Sequence, residues 1–442
     1  MTDDEVLARA YGLARAYLEG VGERHVGGSD PGRLRRALSD DGEGAVEVLE
    51  QLALDADPGL IASAGPRYFG FVVGGSLPVA LGADWLVSAW DQMCGTYSSS
   101  PAVAVAEEVA AGWLLELLGL PASASVGFVT GAQIANFSCL AAARGELLRR
   151  AGWDAEAQGL FGAPLIDVLV GEEVHVTLLR ALRFLGLGQD RVSRVGVDEN
   201  GAMDPVALED ALRNAEAPVL LCVQAGNVNT GACDPLGPIA DLAAEHHAWL
   251  HIDGAFGLWA AASPRLQRLV AGRERADSWA VDAHKWLNVP YDCALAIVAP
   301  REALPRAMTL SAAYLTRSDE REPAEFVPEA SRRGRAIPVY AALRSLGRRG
   351  VAELVERCCA HATLMASLLR EGGLQVLNEV VLNQVLVAGT PEHLARVQAE
   401  GTCWLGGTTW RGRHALRVSF SNWSTTEDDV RRSARPILDL AS

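Results

Sequence analysis

The 442-residue sequence is almost without lysine: Lys285 stands alone against 38 arginines. On a solvated surface the two cations are interchangeable, so a coding bias can remove one of them. They are not interchangeable where a primary amine must attack a carbonyl, because guanidinium stays charged and is a poor nucleophile. By count alone a lone surface lysine is an equally good explanation, and the neighbours of Lys285 must decide. Positive charge is also short, with 39 basic residues against 55 acidic ones and a net charge of −16. Such a surface repels polyanions and excludes nonspecific nucleic-acid binding, while leaving room for a local anion site. No apolar run reaches the roughly 18 residues that a membrane span needs. The start, Met1-Thr2-Asp3-Asp4-Glu5, has no basic region leading into an apolar stretch, so no secretory signal is expected. None of the eight cysteines forms a CxxC pair. They read as buried thiols of a cytoplasmic protein in a reducing compartment, with no metal-ligand set.

What is present is apolar and long. At 49% hydrophobic and 21% charged, the chain has ample core, which excludes a disordered tail or a small stapled scaffold. Residues 1–60 read as helical, over 5–18, 31–38 and 45–54. A glycine-rich aromatic stretch, Pro66 to Gly75, follows as either a pocket wall or a packed turn. Beyond residue 103 helices alternate with short apolar strands, at 125–129, 165–170, 218–223, 248–252, 277–281 and 293–298. That alternation predicts an α/β fold with a mostly parallel sheet covered on both faces. From about 338 a long helix, a strand region 376–387, helix 391–400, strand 416–420 and a last helix 425–438 capped by Ser424 or Thr425 predict a smaller α+β domain. The expected division is thus 1–60, 61–337 and 338–442.

Open α/β sheets bind ligands beyond the carboxyl ends of their strands, and five loops there are candidates to carry chemistry. Thr130-Gly131-Ala132-Gln133 opens a helix whose N-terminus favours a phosphate, though glycine before a helix is ordinary loop grammar. His175 follows strand 165–170; alone it is more often structural. The polar loop Ala225 to Gly231, with Asn227, follows strand 218–223 and by itself reads as a solvated turn. Asp253, at the end of Trp249–Ile252, needs a cationic partner if buried, and small Ala255 leaves room for a ring. Asp282-Ala283-His284-Lys285-Trp286 places the single amine on one more such loop. Pyridoxal 5′-phosphate (PLP) can use the phosphate site, the histidine, the carboxylate and the amine together. The lysine takes its aldehyde and the helix N-terminus its phosphate, while the aspartate meets its pyridine nitrogen and histidine and alanine flank the ring.

With Pro66-Arg67-Tyr68-Phe69-Gly70-Phe71, Ser100-Pro101-Ala102, Asp282-Ala283-His284-Lys285-Trp286-Leu287 and Leu416-Arg417-Val418-Ser419-Phe420-Ser421-Asn422, the chain resembles the group II PLP-dependent decarboxylases over nearly its whole length. These are the aromatic-L-amino-acid and glutamate decarboxylases. The resemblance implies PLP fold type I and a homodimer with shared active sites. It implies Lys285 as the residue joined to the cofactor, His175 stacked on the ring and Asp253 on the pyridine nitrogen. Ala255 falls opposite His175, and Gly131, Ala132, Gln133, Asn227, Asp282 and His284 complete the cofactor set.

Three departures qualify the likeness. Gln133 stands where the family often has Ser or Thr, and Asn227 where aromatic-amino-acid decarboxylases carry threonine. The region 315–335 holds Phe326 but no tyrosine, the nearest being Tyr314, and phenylalanine cannot donate a proton. Decarboxylases of the aromatic type in this family carry in that region a tyrosine that supplies the proton once CO2 has left, and in relatives its loss accompanies an aldehyde product with peroxide. Phe69, Phe71, Val72, Met93, Tyr97 and Phe326 suggest an apolar or aromatic substrate pocket, or in part plain core. Arg335 either binds the substrate carboxylate or supports its loop. The expected activity is decarboxylation of an L-amino acid, a small-molecule substrate, to its amine and CO2. Oxidative deamination to an aldehyde, a carbon–carbon lyase and a non-catalytic PLP-binding protein are the alternatives.

Overall fold

The computed structural model describes residues 3–309 and 320–440. Its strands in chain order are β1 (Tyr68–Phe69), β2 (Ser125–Val129), β3 (Asp167–Gly171), β4 (Ser193–Val195), β5 (Val219–Gln224), β6 (Trp249–Asp253), β7 (Ser278–Asp282), β8 (Ala294–Val298), β9 (Gln384–Ala388), β10 (Trp404–Trp410) and β11 (Arg413–Ser419). Seven of them form one sheet in the order β2-β8-β7-β6-β5-β3-β4. Among these strands β8 alone runs against the rest.

Strand β5 shows why this sheet is covered on both faces. Val219, Leu221 and Val223 enter one core, and Leu220 and Cys222 enter the other, following the two-residue alternation of an extended chain. A strand apolar over five successive positions has no face for water there. On one side lies the helix Ala132–Arg150, whose Ala135, Ser138, Cys139 and Ala142 are buried. These small side chains bring the helix close enough for the Cys139 thiol to reach the carbonyls of Trp279 and Ile297, at 3.4 and 3.6 Å. An added methylene there costs roughly 1–3 kcal/mol in overpacking. The other core is shared with the helices Pro101–Leu118 and Ala336–Glu371, the second of which bends at Gly347, φ +61°.

The second sheet has the order β1-β10-β11-β9. Its β10–β11 hairpin turns through Arg411 and Gly412, both at positive φ (+48° and +75°), the pair of left-handed residues that a tight two-residue hairpin requires.

Several expectations are corrected. The stretch 31–38 is not a helix but a single 3-10 turn, Gly32–Leu34. Its Leu34 and Leu38 are exposed, and a short helix with no packing face is not stable in water. The last helix, Glu427–Asp439, is capped by Thr426 in a capping box with Asp429. Ser424 is engaged with Asn422, and Thr425 with the Pro66 carbonyl. Strands β4 and β10 were not anticipated. Residues 68–69, read as loop, pair in parallel with β10 of the second sheet.

Candidate active site

Strands β5, β6 and β7 run parallel and end side by side at Gln224, Asp253 and Asp282. Beyond these ends lies a cavity of about 210 Å³. Its walls come from Gly131, Ala132 and Gln133 at the start of the helix Ala132–Arg150, from His175 and Thr177, from Gly226 and Val228, from Ala255 and Phe256, and from His284 and Lys285. The loops read separately in the sequence therefore converge on one place.

Asp282 joins two of them. Its Oδ2 lies 2.9 Å from Lys285 Nζ, and its Oδ1 accepts the Ala132 N–H at 2.7 Å. The only lysine is thus tied through one buried carboxylate to the N-terminus of a 19-residue helix. His284 stands 3.5 Å from the same Oδ1 through Nε2, and its Nδ1 accepts the Cys293 N–H at 3.3 Å. Burial pushes the His284 imidazole below its usual pKa, against the opposing pull of Asp282. The Tyr291 ring lies 4.2 Å from that of His284. Gly74 approaches from the far side. A Cβ there would sit 1.8 Å from the Lys285 carbonyl oxygen, so the lysine's backbone has room only beside a glycine.

Asp253 is buried, with Oδ2 accepting from Asn136 Nδ2 at 3.0 Å and Oδ1 from the Ala255 N–H at 3.2 Å. Among the described residues no lysine or arginine pairs with it. His175 is half-buried and caps the helix Val176–Phe184; its Nδ1 meets Thr177 Oγ1 at 2.7 Å. Burial lowers its pKa first, Asp253 opposes this, and Lys285 and Arg417 reinforce it. A neutral ring follows, with Thr177 donating to Nδ1 and the proton on Nε2. Gln133 Oε1 accepts from Arg180 at 3.0 Å, which turns its amide N–H group away from that contact.

Not every expected residue reaches the cavity. The Asn227 side chain folds into its own turn, with Oδ1 accepting the N–H groups of Asn229 and Thr230. Its amide nitrogen lies beside Gly201, and the neighbouring Gly226 and Val228 line the wall instead. Of the seven proposed substrate-pocket residues, the described cavity wall contains none. Phe69 and Val72 are buried in the main core, Phe69 against Phe420. Phe71 and Met93 are exposed. Tyr97 is half-buried, and its N–H donates to Glu322. Phe326 lies under the Arg321 guanidinium, 3.8 Å from its ring centre, with its carbonyl against Gly127 of β2. Arg335 Nε donates to Asp292 at 2.8 Å, and its buried Nη1 has no partner among the described residues. Residues 310–319, with Tyr314 and Leu315, lie outside the described residues.

Sequence reading missed Asn136, His251 and Arg417. Asn136 is one helical turn after Ala132, a polar residue on an otherwise small-residue face. His251 is two residues before Asp253 in β6, hence on the same face of the strand. Arg417 has Nη1 on the Val228 carbonyl at 3.1 Å, and its buried Nε has no partner among the described residues.

An amine, a buried carboxylate with no protein cation, a neutral imidazole and a helix N-terminus around one cavity form a donor set that fits PLP. Residues 31–387 match the conserved domain described as pyridoxal-dependent decarboxylase. The chain belongs to the pyridoxal-dependent decarboxylases. Its fold is the family's type I fold, as in rice (Oryza sativa) tryptophan decarboxylase with PLP and tryptamine. That structure superposes with a TM-score of 0.92 at 23% identity, over 100% of this chain and 98% of the other. In sequence, tryptophan decarboxylase 1 of Oryza sativa subsp. japonica is 28% identical over 345 residues, 73% of this chain and 66% of the relative. The chain thus spans just under two thirds of that relative's length. Acidic amino acid decarboxylase GADL1 of Homo sapiens is 28% identical over 389 residues, 85% of this chain and 74% of that one. L-2,4-Diaminobutyrate decarboxylase of Rhizobium meliloti is 30% identical over 375 residues, 80% and 73%. Aromatic, acidic and diamino substrates all occur in these family names, so likeness alone does not choose among them.

Proposed function

We propose that this decarboxylase removes CO2 from an L-amino acid with an apolar or aromatic side chain, giving the amine. The observation that carries the reading is the Lys285–Asp282–Ala132 linkage facing buried, cation-free Asp253 across one cavity. Bound PLP supplies an electron sink for the breaking bond between Cα and the carboxylate. Lys285 Nζ holds the cofactor, and Asp282 keeps that amine at the helix N-terminus. Gln133 and the first turn of that helix receive the phosphate, where the backbone field favours an anion. Asp253 faces the ring nitrogen and pairs with its proton. His175 and Ala255 keep the ring between them. Arg417, buried with an unpaired Nε beside Val228, supplies positive charge for the incoming carboxylate.

The side-chain preference rests on Phe256 and Val228 in the wall. The apolar residues left exposed on the N-terminal helices support a homodimer. The helix Asp3–Gly20 buries none of its own residues, and Leu7, Tyr11, Leu52, Leu54, Trp85 and Trp90 stand open to solvent. In such a dimer exposed Phe71 and Met93 become wall residues of a shared pocket.

The test is product mass spectrometry after incubating the PLP-loaded protein with single L-amino acids in air, beside Lys285→Ala. Amine from an aromatic or apolar amino acid, absent in the variant, is the expected result. Aldehyde with peroxide replaces simple decarboxylation by the oxidative route, and turnover confined to acidic or diamino substrates overturns the side-chain preference. Sedimentation as a monomer at micromolar concentration refutes the dimer.

A further inference from the structure

Behind Asp253 runs a line of polar groups that the proposed chemistry does not touch. Trp249, His251 and Asp253 occupy alternate positions of β6 and so share one face of the sheet. Ser278 is the register partner of His251 on β7. Asn136 comes down onto the same face from the helix Ala132–Arg150. Trp249, Asn136, His251 and Ser278 are all fully buried. Trp249 Nε1 and Ser278 Oγ are 2.9 Å apart, as are Ser278 Oγ and His251 Nδ1. His251 Nε2 is 2.8 Å from Asn136 Oδ1, and Asn136 Nδ2 is 3.0 Å from Asp253 Oδ2.

The direction of every bond follows from the first. An indole N–H can only donate, so Ser278 accepts from Trp249; His251 Nδ1 is the one other partner of its hydroxyl among the described residues, so the Ser278 proton goes there. The imidazole, which burial keeps neutral, then carries its proton on Nε2 and donates to the Asn136 carbonyl. That fixes the amide: its oxygen faces His251 and its nitrogen faces Asp253. With the Ala255 N–H on the other oxygen, Asp253 is offered two donors, the arrangement a carboxylate anion accepts. A protonated carboxyl would have to turn its O–H away from both.

We propose that His251 and Asn136 are positioning residues for Asp253: the relay orients its carboxylate toward the cavity as an anion, so that a proton shared with a facing ring nitrogen stays on the nitrogen. This rests on the assignment of PLP to the cavity. Buried polar chains of this kind are effective only when every member is satisfied, and here each donor has one acceptor. The relay acts on one atom of the cofactor, and that makes it separable from a merely structural role.

The experiment compares the dissociation constants of PLP and of its 1-deaza analogue, in which C–H replaces the ring nitrogen. The proteins are wild type, His251→Leu, His251→Gln and Ser278→Ala, each in the full chain. Wild type should prefer PLP. His251→Leu should weaken PLP about tenfold, in the range typical of outer-shell partners, and leave the analogue unchanged. His251→Gln, whose amide reaches the place of Nε2, should recover most of the preference. Ser278→Ala removes a single hydroxyl and frees the tautomer; it should fall between, and it carries the comparison if His251→Leu does not fold. Equal losses for both ligands, or Gln no better than Leu, overturn the relay. A wild-type protein that binds PLP at Lys285 without preferring it to the analogue also overturns the relay. Failure of wild type to hold PLP at Lys285 at all overturns the cofactor assignment instead.

Discussion

Glu107 offers the sharpest test of the packing around the site. It is fully buried in the helix Pro101–Leu118 and meets two guanidiniums, Arg332, which is equally buried, and Arg321, at 3.2 Å. Arg332 also donates to the carbonyls of Cys94 (3.0 Å) and of Phe128 in β2 (3.1 Å), just ahead of the Gly131 turn. The cluster holds two cations on one anion, so Glu107→Gln leaves both cations buried and uncompensated. Breaking a buried pair from one side costs about 3–5 kcal/mol. The unfolding entropy of a chain this long is near 0.9 kcal/mol per kelvin, so Tm should fall by roughly 3–5 °C. Removing Glu107 and Arg332 together, both to methionine, should cost less than the single change, because the most buried charge leaves with its partner. Thermal melts of the PLP-loaded protein measure both, and added salt should not change the difference, since a dry pair is little screened. A Glu107→Gln variant melting within about 1 °C of wild type, or a double variant worse than the single one, refutes the reasoning.

Asp253→Ala should keep most of its PLP through Lys285 and the phosphate site yet lose roughly 10²–10³-fold in kcat; near-normal turnover removes its electronic role. Gly74→Ala drives a methyl into the Lys285 carbonyl, which is also bonded to the Asn288 amide at 3.3 Å. Poor PLP retention and at least about 1–3 kcal/mol of lost stability are expected, read from absorbance and urea unfolding. His251 is pushed down to about 3 by burial, below the roughly 6.5 of an unfolded histidine. Its share of stability is therefore complete above pH 6.5, and it is lost as pH falls toward 3, by about 1.4 kcal/mol per unit. Unfolding free energies at stepped pH should decline less steeply in His251→Gln; an unchanged slope contradicts the neutral buried ring.

The large sheet was legible because its strands are uninterrupted apolar runs, and a period of that kind survives any tertiary detail. Strand β10, Trp404–Trp410, was not legible: Gly406, Gly407, Thr408 and Thr409 carry no apolar alternation, and its strand character comes from pairing with β11. The cofactor loops were legible because each follows a strand and carries a residue with no purpose in a core. The expected substrate wall was less legible for the opposite reason. Phe69, Val72 and Phe326 are the residues a core also selects, and one-dimensional sequence does not tell a wall from a filling. His251 escaped because a buried histidine between apolar neighbours resembles any other; only the strand face shared with Asp253 and the position of Asn136 give it meaning.

Asn288 has a mechanical consequence. Held at φ +56°, it donates to the carbonyls of Lys285, Trp286 and Ser421 and accepts the N–H of Trp423. One side chain thereby rivets the lysine's own backbone to the segment that follows β11. The seam between the two sheets cannot serve as a hinge at that point without tearing the two of these bonds that cross it, those to Ser421 and from Trp423. Any breathing of the C-terminal segment against the central sheet must carry the reactive amine with it or pivot elsewhere, so the lysine travels as cargo of the rivet rather than as part of a loop.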